Sequence, residues 1–320
     1  MKTPVIDALQ YCNWSRAIFE ELRAGGVDAV HVTVAYHEEL RELIGNLSQW
    51  NRWFAEHDDL IFRGLSGGDI ARAQDTNRTA VFFGLQTPLP ISDDLGLVEI
   101  LHQIGIRFMQ ITYNNQSLLG TGHAEAYDSG LTNFGREVIA EMNRVGLVID
   151  LSHAGPKTTF DAIEASARPV AITHANPSVW HDVTRNIPHQ NLQALVERGG
   201  MLGFSLYPHH LQGGSECQLS AFCQMVARTA ELYGVAHLGI GSDLCRHQPD
   251  SVVQWMRSGR WVRPQPPLAR FPKQPNWFQS AQDFEGIREG LIKVGFDSEE
   301  AGSILGGNWS RFFNASFEPE

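Results

Sequence analysis

Leu147-Val-Ile-Asp-Leu-Ser-His153 and Pro169-Val-Ala-Ile-Thr-His174 are two short apolar runs, each ending in a histidine. Runs of Val, Ile and Leu read as strands buried on both faces, and the polar residue that ends each run stands at the edge of the sheet. The segment between them is long enough for a helix, which makes a right-handed parallel βαβ unit with both imidazoles at its carboxyl edge. That edge is where parallel α/β folds carry their chemistry. A third run, His237-Leu-Gly-Ile-Gly-Ser-Asp243, ends in a carboxylate. Two imidazoles and one carboxylate on one face are the ligand types of a catalytic zinc with an open position. The same pattern suits hydrogen-bonded structural histidines, and spacing alone leaves both readings open.

Working outward, the alternation of runs continues along the chain. Val5-Ile-Asp7-Ala8-Leu9-Gln10, Val27 to Val34, Thr79 to Gln86, Ile106 to Thr112 and Gly200 to Leu206 read as further strands. Glu38 to His57, Leu95 to Gln103 and Thr132 to Arg144 carry the spacing of amphipathic helices. With no linker or repeat to divide it, the chain reads as one α/β domain over 1–320. The stretch from Arg246 to Asn276 breaks the rhythm, being rich in Pro, Arg and Trp. Coming after the eighth strand, it is expected to be a long loop over the barrel mouth, serving either the site or a second subunit through Trp255, Trp261 and Trp277.

The string Gly130-Leu-Thr-Asn-Phe-Gly-Arg-Glu-Val-Ile-Ala-Glu-Met-Asn-Arg-Val-Gly-Leu-Val-Ile-Asp-Leu-Ser-His153 resembles the core signature of the renal (membrane) dipeptidase family. The resemblance continues through Gln110-Ile-Thr-Tyr-Asn-Asn115, Thr173-His174, Arg185-Asn186-Ile187-Pro188, Gly239-Ile-Gly-Ser-Asp243 and Gly307-Asn308. It implies a (β/α)8 TIM barrel and an amidohydrolase-like metallopeptidase with a binuclear zinc centre that hydrolyses dipeptides. It also implies that His153 and His174 bind one metal, that Asp243 belongs with the other, and that Arg185 holds the substrate carboxylate.

The sequence departs from that pattern at three implied ligands. The first strand of the family carries a His-x-Asp pair where this chain has Leu9 and Tyr11, and the third supplies a bridging glutamate where this chain has Gln86. An active-site histidine after the fourth strand is here Tyr113. Leucine cannot bind a metal, and an amide lacks the charge that two adjacent dications need.

The expected site is therefore mononuclear or degenerate. His153, His174 and Asp243 are the metal ligands, with Asp243 and His153 also catalytic. Arg185, Tyr113, Gln86 and His210 line the substrate site. His123, Glu125, Asp128 and His209 stand in loops at the same edge as further contacts or substitute ligands. Cys12, beside the missing first-strand ligands, is either a replacement thiolate or a buried structural thiol.

The function expected is metal-dependent hydrolysis of a dipeptide-like or other small amide bearing a carboxylate, with one zinc per chain or a weakly held one. The alternatives are a metal-free protein that binds a small carboxylate, and a non-hydrolytic enzyme of an amino-acid-derived metabolite. The net charge of -11 argues against nucleic acid or an anionic membrane as partner, leaving a small-molecule substrate and a homo-oligomer. No run approaches the roughly twenty apolar residues of a membrane span. The start of the chain shows no charged leader followed by an apolar stretch, and four scattered cysteines read as reduced thiols, so the expected location is cytoplasmic.

Overall fold

The computed structural model describes residues 3–318 apart from 264. Eight parallel strands follow one another around a barrel: β1 (Val5–Gln10), β2 (Val27–Ala35), β4 (Thr79–Leu85), β5 (Ile106–Gln110), β6 (Val148–Asp150), β7 (Ala171–Ile172), β8 (Met201–Phe204) and β9 (Leu238–Ile240). The ring closes where Gln10 bridges Leu244 in parallel, with Asp243 N–H donating to Leu9 O and Tyr11 N–H donating to Leu244 O, both at 3.0 Å. This is the (β/α)8 barrel that the family resemblance implies, built on the alternating runs of the sequence, with helices between successive strands.

One strand escapes the sequence pattern. The short β3 (Ile61–Arg63) pairs with the first half of β4, Ile61 opposite Thr79, while β5 takes the same edge from Phe83 onward. Three residues are too few to show a period, so the strand is defined only by the free edge it fills.

The floor of the barrel is sealed. Trp309 and Phe313, on the helix Asn308–Ser316, pack under Ile6, Phe82 and Phe108 in a wholly apolar cluster. Trp309 donates from its indole N–H to Ile240 O at 3.1 Å. With one end closed by aromatic packing, polar side chains gather at the other end, where the strands finish.

The stretch 246–276 is a long connection with a helix in it, Asp250–Ser258, which buries Val253 and lines the cavity at the barrel mouth with Met256 and Arg257. Its apolar face spans only two turns between Pro-rich flanks, which is why no period emerges from the sequence. Trp255 donates to Glu38 Oε1 at 2.9 Å and Trp277 to Cys217 O at 2.7 Å, so both indoles are tied within the chain. Among the described residues no helix is long and apolar enough to cross a membrane.

Two glycines set how closely the last strands approach β7. A Cβ on Gly241 would lie 1.7 Å from Thr173 O, and one on Gly203 would lie 2.0 Å from it. The obstacle in both cases is backbone, which cannot swing aside as a side chain can. Gly241→Ala should therefore push β9 off Thr173 and cost on the order of 2–3 kcal/mol by urea unfolding. A loss within about 0.5 kcal/mol, the range of ordinary surface substitutions, would show that the strands can separate freely.

Candidate active site

Asp150, the last residue of β6, organises the mouth of the barrel. Its buried carboxylate accepts from Gln110 Nε2 at 2.9 Å, Ser152 N at 3.0 Å, Ser152 Oγ at 2.5 Å, Thr173 N at 3.2 Å and Thr173 Oγ1 at 2.7 Å. The Thr173 hydroxyl has one proton, and Asp150 takes it. Its oxygen must then accept at its other short contact, from His174 Nδ1 at 2.7 Å. This fixes the tautomer of His174, with the proton on Nδ1 and the lone pair on Nε2.

His153 is held the same way from a different element. Its Nδ1 donates to Asn114 Oδ1 at 2.7 Å, an oxygen that also accepts from His123 Nε2 at 2.9 Å. The two Nε2 atoms of His153 and His174 then face each other at 3.1 Å. Burial, reinforced by the nearby Arg185 charge, pushes both imidazoles well below their usual pKa, so both are neutral. Two lone pairs at that distance repel unless a cation or proton sits between them. Zinc binds imidazole at about 2.0–2.1 Å, which separates two nitrogens of a tetrahedral site by about 3.3 Å. The pair therefore fits one cation.

Asp243 does not complete a ligand set. It follows β9 in the left-handed region, at φ 59°. With its N–H tied to Leu9 O, it stands with Oδ2 4.0 Å from His210 Nδ1. Among the described residues no three His, Cys, Asp or Glu side chains form a metal-binding group. Of the expected set of His153, His174 and Asp243, the two histidines meet, and Asp243 shares the cavity with His153 beside His210. Burial lifts the Asp243 carboxyl to about 7, with Arg185 pulling the other way.

Arg185 is buried beneath the strand ends, donating to the Ser152 carbonyl and, at 3.0 Å, to His174 O. Those bonds take up part of the guanidinium fork expected to clamp substrate; its remaining N–H groups are the ones free to do so. Gln86 donates to Thr33 Oγ1 at 2.8 Å, His210 Nδ1 meets Ser205 Oγ at 2.8 Å, and the Tyr113 ring lies 4.3 Å from that of His153. All four line one cavity of about 440 Å³ with His153, Asp243, His123 and His209. His174 is wholly buried behind His153.

Other expected residues fall elsewhere. Asp128 accepts from Lys157 N at 2.7 Å and Thr158 N at 3.1 Å at the start of the helix Pro156–Ala165, a structural cap. Glu125 accepts from Gln116 N at 2.9 Å beside a different cavity. Cys12 is a buried thiol pushed well above its usual pKa by burial, so it is no substitute thiolate. Sequence reasoning missed Asp150, Thr173 and Asn114. The first two sit inside the strings that drew attention to the histidines, and Asn114 sits beside Tyr113 in the string Gln110–Asn115, so the signal was position within a matched string and not residue type.

The positions implied for a second metal are filled with packing. Leu9, Tyr11, Tyr36, Tyr113 and Tyr207 form a buried cluster, with Tyr11 and Tyr36 edge to face at 6.1 Å and Tyr36 and Tyr113 at 5.8 Å. Burial holds the Tyr11 and Tyr113 phenols far above their usual pKa, so they carry no charge to offer a cation. These residues do not fit a second dication.

The sequence model of one protein family, described as membrane dipeptidase (peptidase family M19), matches residues 13–252. A dipeptidase of Claviceps purpurea, tcpJ, is 26% identical over 219 residues, which is 68% of this chain and 50% of that protein. The chain spans about half the length of the curated relatives it matches. Among solved structures, an amidohydrolase from Pseudomonas aeruginosa superposes with a TM-score of 0.94 at 31% identity, over 98% of this chain and 97% of its own. A metallopeptidase from Rhodobacter sphaeroides, liganded with a phosphinate mimic of the dipeptide L-Ala-D-Ala, shares the fold with a TM-score of 0.81 at 16% identity, covering 99% of this chain and 100% of its own.

The tautomer argument has a direct test. Thr173→Val removes the acceptor that keeps the proton on His174 Nδ1, and loss of such an outer contact typically weakens metal affinity about 10–100-fold. Zinc competition against a chromophoric chelator should show that loss, while Thr173→Ser, which keeps the hydroxyl, should bind as the parent does. Equal affinity in the two variants would remove Thr173 from any role in orienting the ring.

Proposed function

The chain belongs to the membrane dipeptidase family, peptidase M19, and on that footing we propose that it is a one-cation hydrolase of a dipeptide-like or other small amide bearing a carboxylate. The observation that carries this reading is the pair of neutral imidazoles, Nε2 to Nε2 at 3.1 Å, with both Nδ1 atoms engaged. His153 and His174 would hold the cation. Zinc bound there supplies Lewis acidity, polarising a carbonyl and making water acidic enough to attack near neutral pH.

The rest of the chemistry belongs to the side chains around the cavity. Asp243 takes the proton of the attacking water, since a carboxyl held near 7 accepts a proton at neutral pH and can return it to the leaving amine. Arg185 faces the substrate carboxylate with the N–H groups it does not give to Ser152 and His174. Tyr113, packed on His153, and Gln86, anchored to Thr33, shape the wall against which the amide lies. A cavity of about 440 Å³ is of small-molecule size and has no room for a protein chain. Four unpaired, buried cysteines support a reducing cytosol as its location.

Protein purified without chelator should carry close to one zinc per chain by elemental analysis, and His153→Ala and His174→Ala should each lose it. Asp243→Asn should keep the metal while kcat, on a panel of dipeptides and N-acyl amino acids, falls about 10²–10⁴-fold. Two zincs per chain would overturn the one-cation reading. Neither bound metal nor zinc-dependent turnover would leave the carboxylate-binding alternative.

A further inference from the structure

A second cavity of about 330 Å³ adjoins the first, with Tyr11 lining both, and the proposed hydrolysis makes no use of it. Six aromatic side chains stand in its lining: Trp14 follows β1, Trp50 and Trp53 come from the helix Leu40–Glu56, Trp255 from the helix Asp250–Ser258, and Tyr11 and Tyr36 join them, beside the neutral amides of Asn13, Asn46, Gln49 and Gln248. The rings meet at steep angles, Trp14 and Trp50 at 58° and 5.2 Å, Trp50 and Trp53 at 85° and 4.9 Å, so they form walls and not a stack.

Among the described residues of the lining, Glu38 is the one side chain of formal charge, with no Lys, Arg or His beside it. Its carboxylate is held in place by Trp255 Nε1 at 2.9 Å on one oxygen and by the backbone N–H groups of Tyr36 and His37, at 2.6 and 3.0 Å, on the other. All three donors are neutral. Arg260 pairs with Glu42, stands over the Trp255 ring at 5.1 Å and feels the Glu38 charge, but does not line the cavity.

A lining of aromatic rings, neutral amides and one fixed carboxylate narrows the guest. An anion would meet Glu38, a neutral apolar guest would leave the carboxylate without purpose, and a bare metal ion would find indoles where it needs oxygens. An alkylated ammonium group suits both parts of the lining, because its methyl surface packs on the aromatic side chains while its charge is attracted by Glu38. We propose that this cavity binds the head of a small organic cation, a tertiary or quaternary ammonium group. The assignment stands apart from hydrolysis and needs no turnover to be tested.

Choline can be titrated into the full-length, metal-loaded protein by calorimetry and by tryptophan fluorescence, beside its neutral isostere 3,3-dimethylbutan-1-ol at matched ionic strength. Choline should bind saturably and quench fluorescence, with the isostere at least about tenfold weaker, the scale of a desolvated cation–π contact plus one carboxylate. Glu38→Gln should lower choline affinity about tenfold and leave the isostere unchanged, since it removes charge and little shape. Asp243→Asn should leave choline binding as it is. The proposal is overturned if choline does not bind saturably, if the isostere matches it in the parent protein, or if Asp243→Asn, and not Glu38→Gln, abolishes the binding.

Discussion

The active end of this barrel depends on one buried carboxylate. Asp150 joins three successive strands because its five donors come from Gln110 on β5, from Ser152 just past β6 and from Thr173 just past β7. A buried carboxylate would be costly alone, and five hydrogen bonds turn it into a fixed point from which the strand ends cannot drift. Asp7 does the same across the closing seam. It accepts from Ser242 N at 2.7 Å, the Ser242 hydroxyl, Gln10 Nε2 at 2.7 Å and Leu9 N at 3.3 Å, although burial still lifts its carboxyl to about 6. Both aspartates end a Val-Ile-Asp string, one on each side of the barrel.

From those two points the site is built by relay. Asp150 fixes the Thr173 proton, Thr173 fixes the His174 tautomer, and Ser152 Oγ accepts the His174 N–H at 3.2 Å, so ring and backbone answer to the same carboxylate. The absence of side chains at Gly203 and Gly241 lets β8 and β9 close on Thr173, and the aromatic floor around Trp309 closes the opposite end. Precision at the histidines thus arises from elements that never touch a substrate.

The strands were legible because most are apolar runs, several with a polar residue where they end, while the barrel that joins them came from the family resemblance. The histidines were legible for the same reason. What could not be read was anything decided by contact across the barrel: β3 exists because β4 has a free edge, and Asn114 reaches His153 from 39 residues away. The helix Asp250–Ser258 was hidden by the prolines around it, and the use of Arg185 for two backbone carbonyls depends on where the ends of β6 and β7 lie in space. Asp243 illustrates the limit most clearly, since its place after β9 follows from the sequence while its left-handed backbone and its position beside His210 do not.

Charge and packing both bear on the one-cation reading. Within the central cavity Arg185 and Arg257 outweigh Asp243 by one formal charge, so one dication held by His153 and His174 would add to an already positive site. That suits a substrate carboxylate together with the negative charge that develops on an attacked amide. A second dication would add two further charges where Leu9, Tyr11 and Gln86 offer no carboxylate to balance them, at a place already filled by Tyr11, Tyr36 and Tyr113. Of the tyrosines that occupy this place, Tyr11 and Tyr36 also line the neighbouring cavity, where Glu38 carries a negative charge.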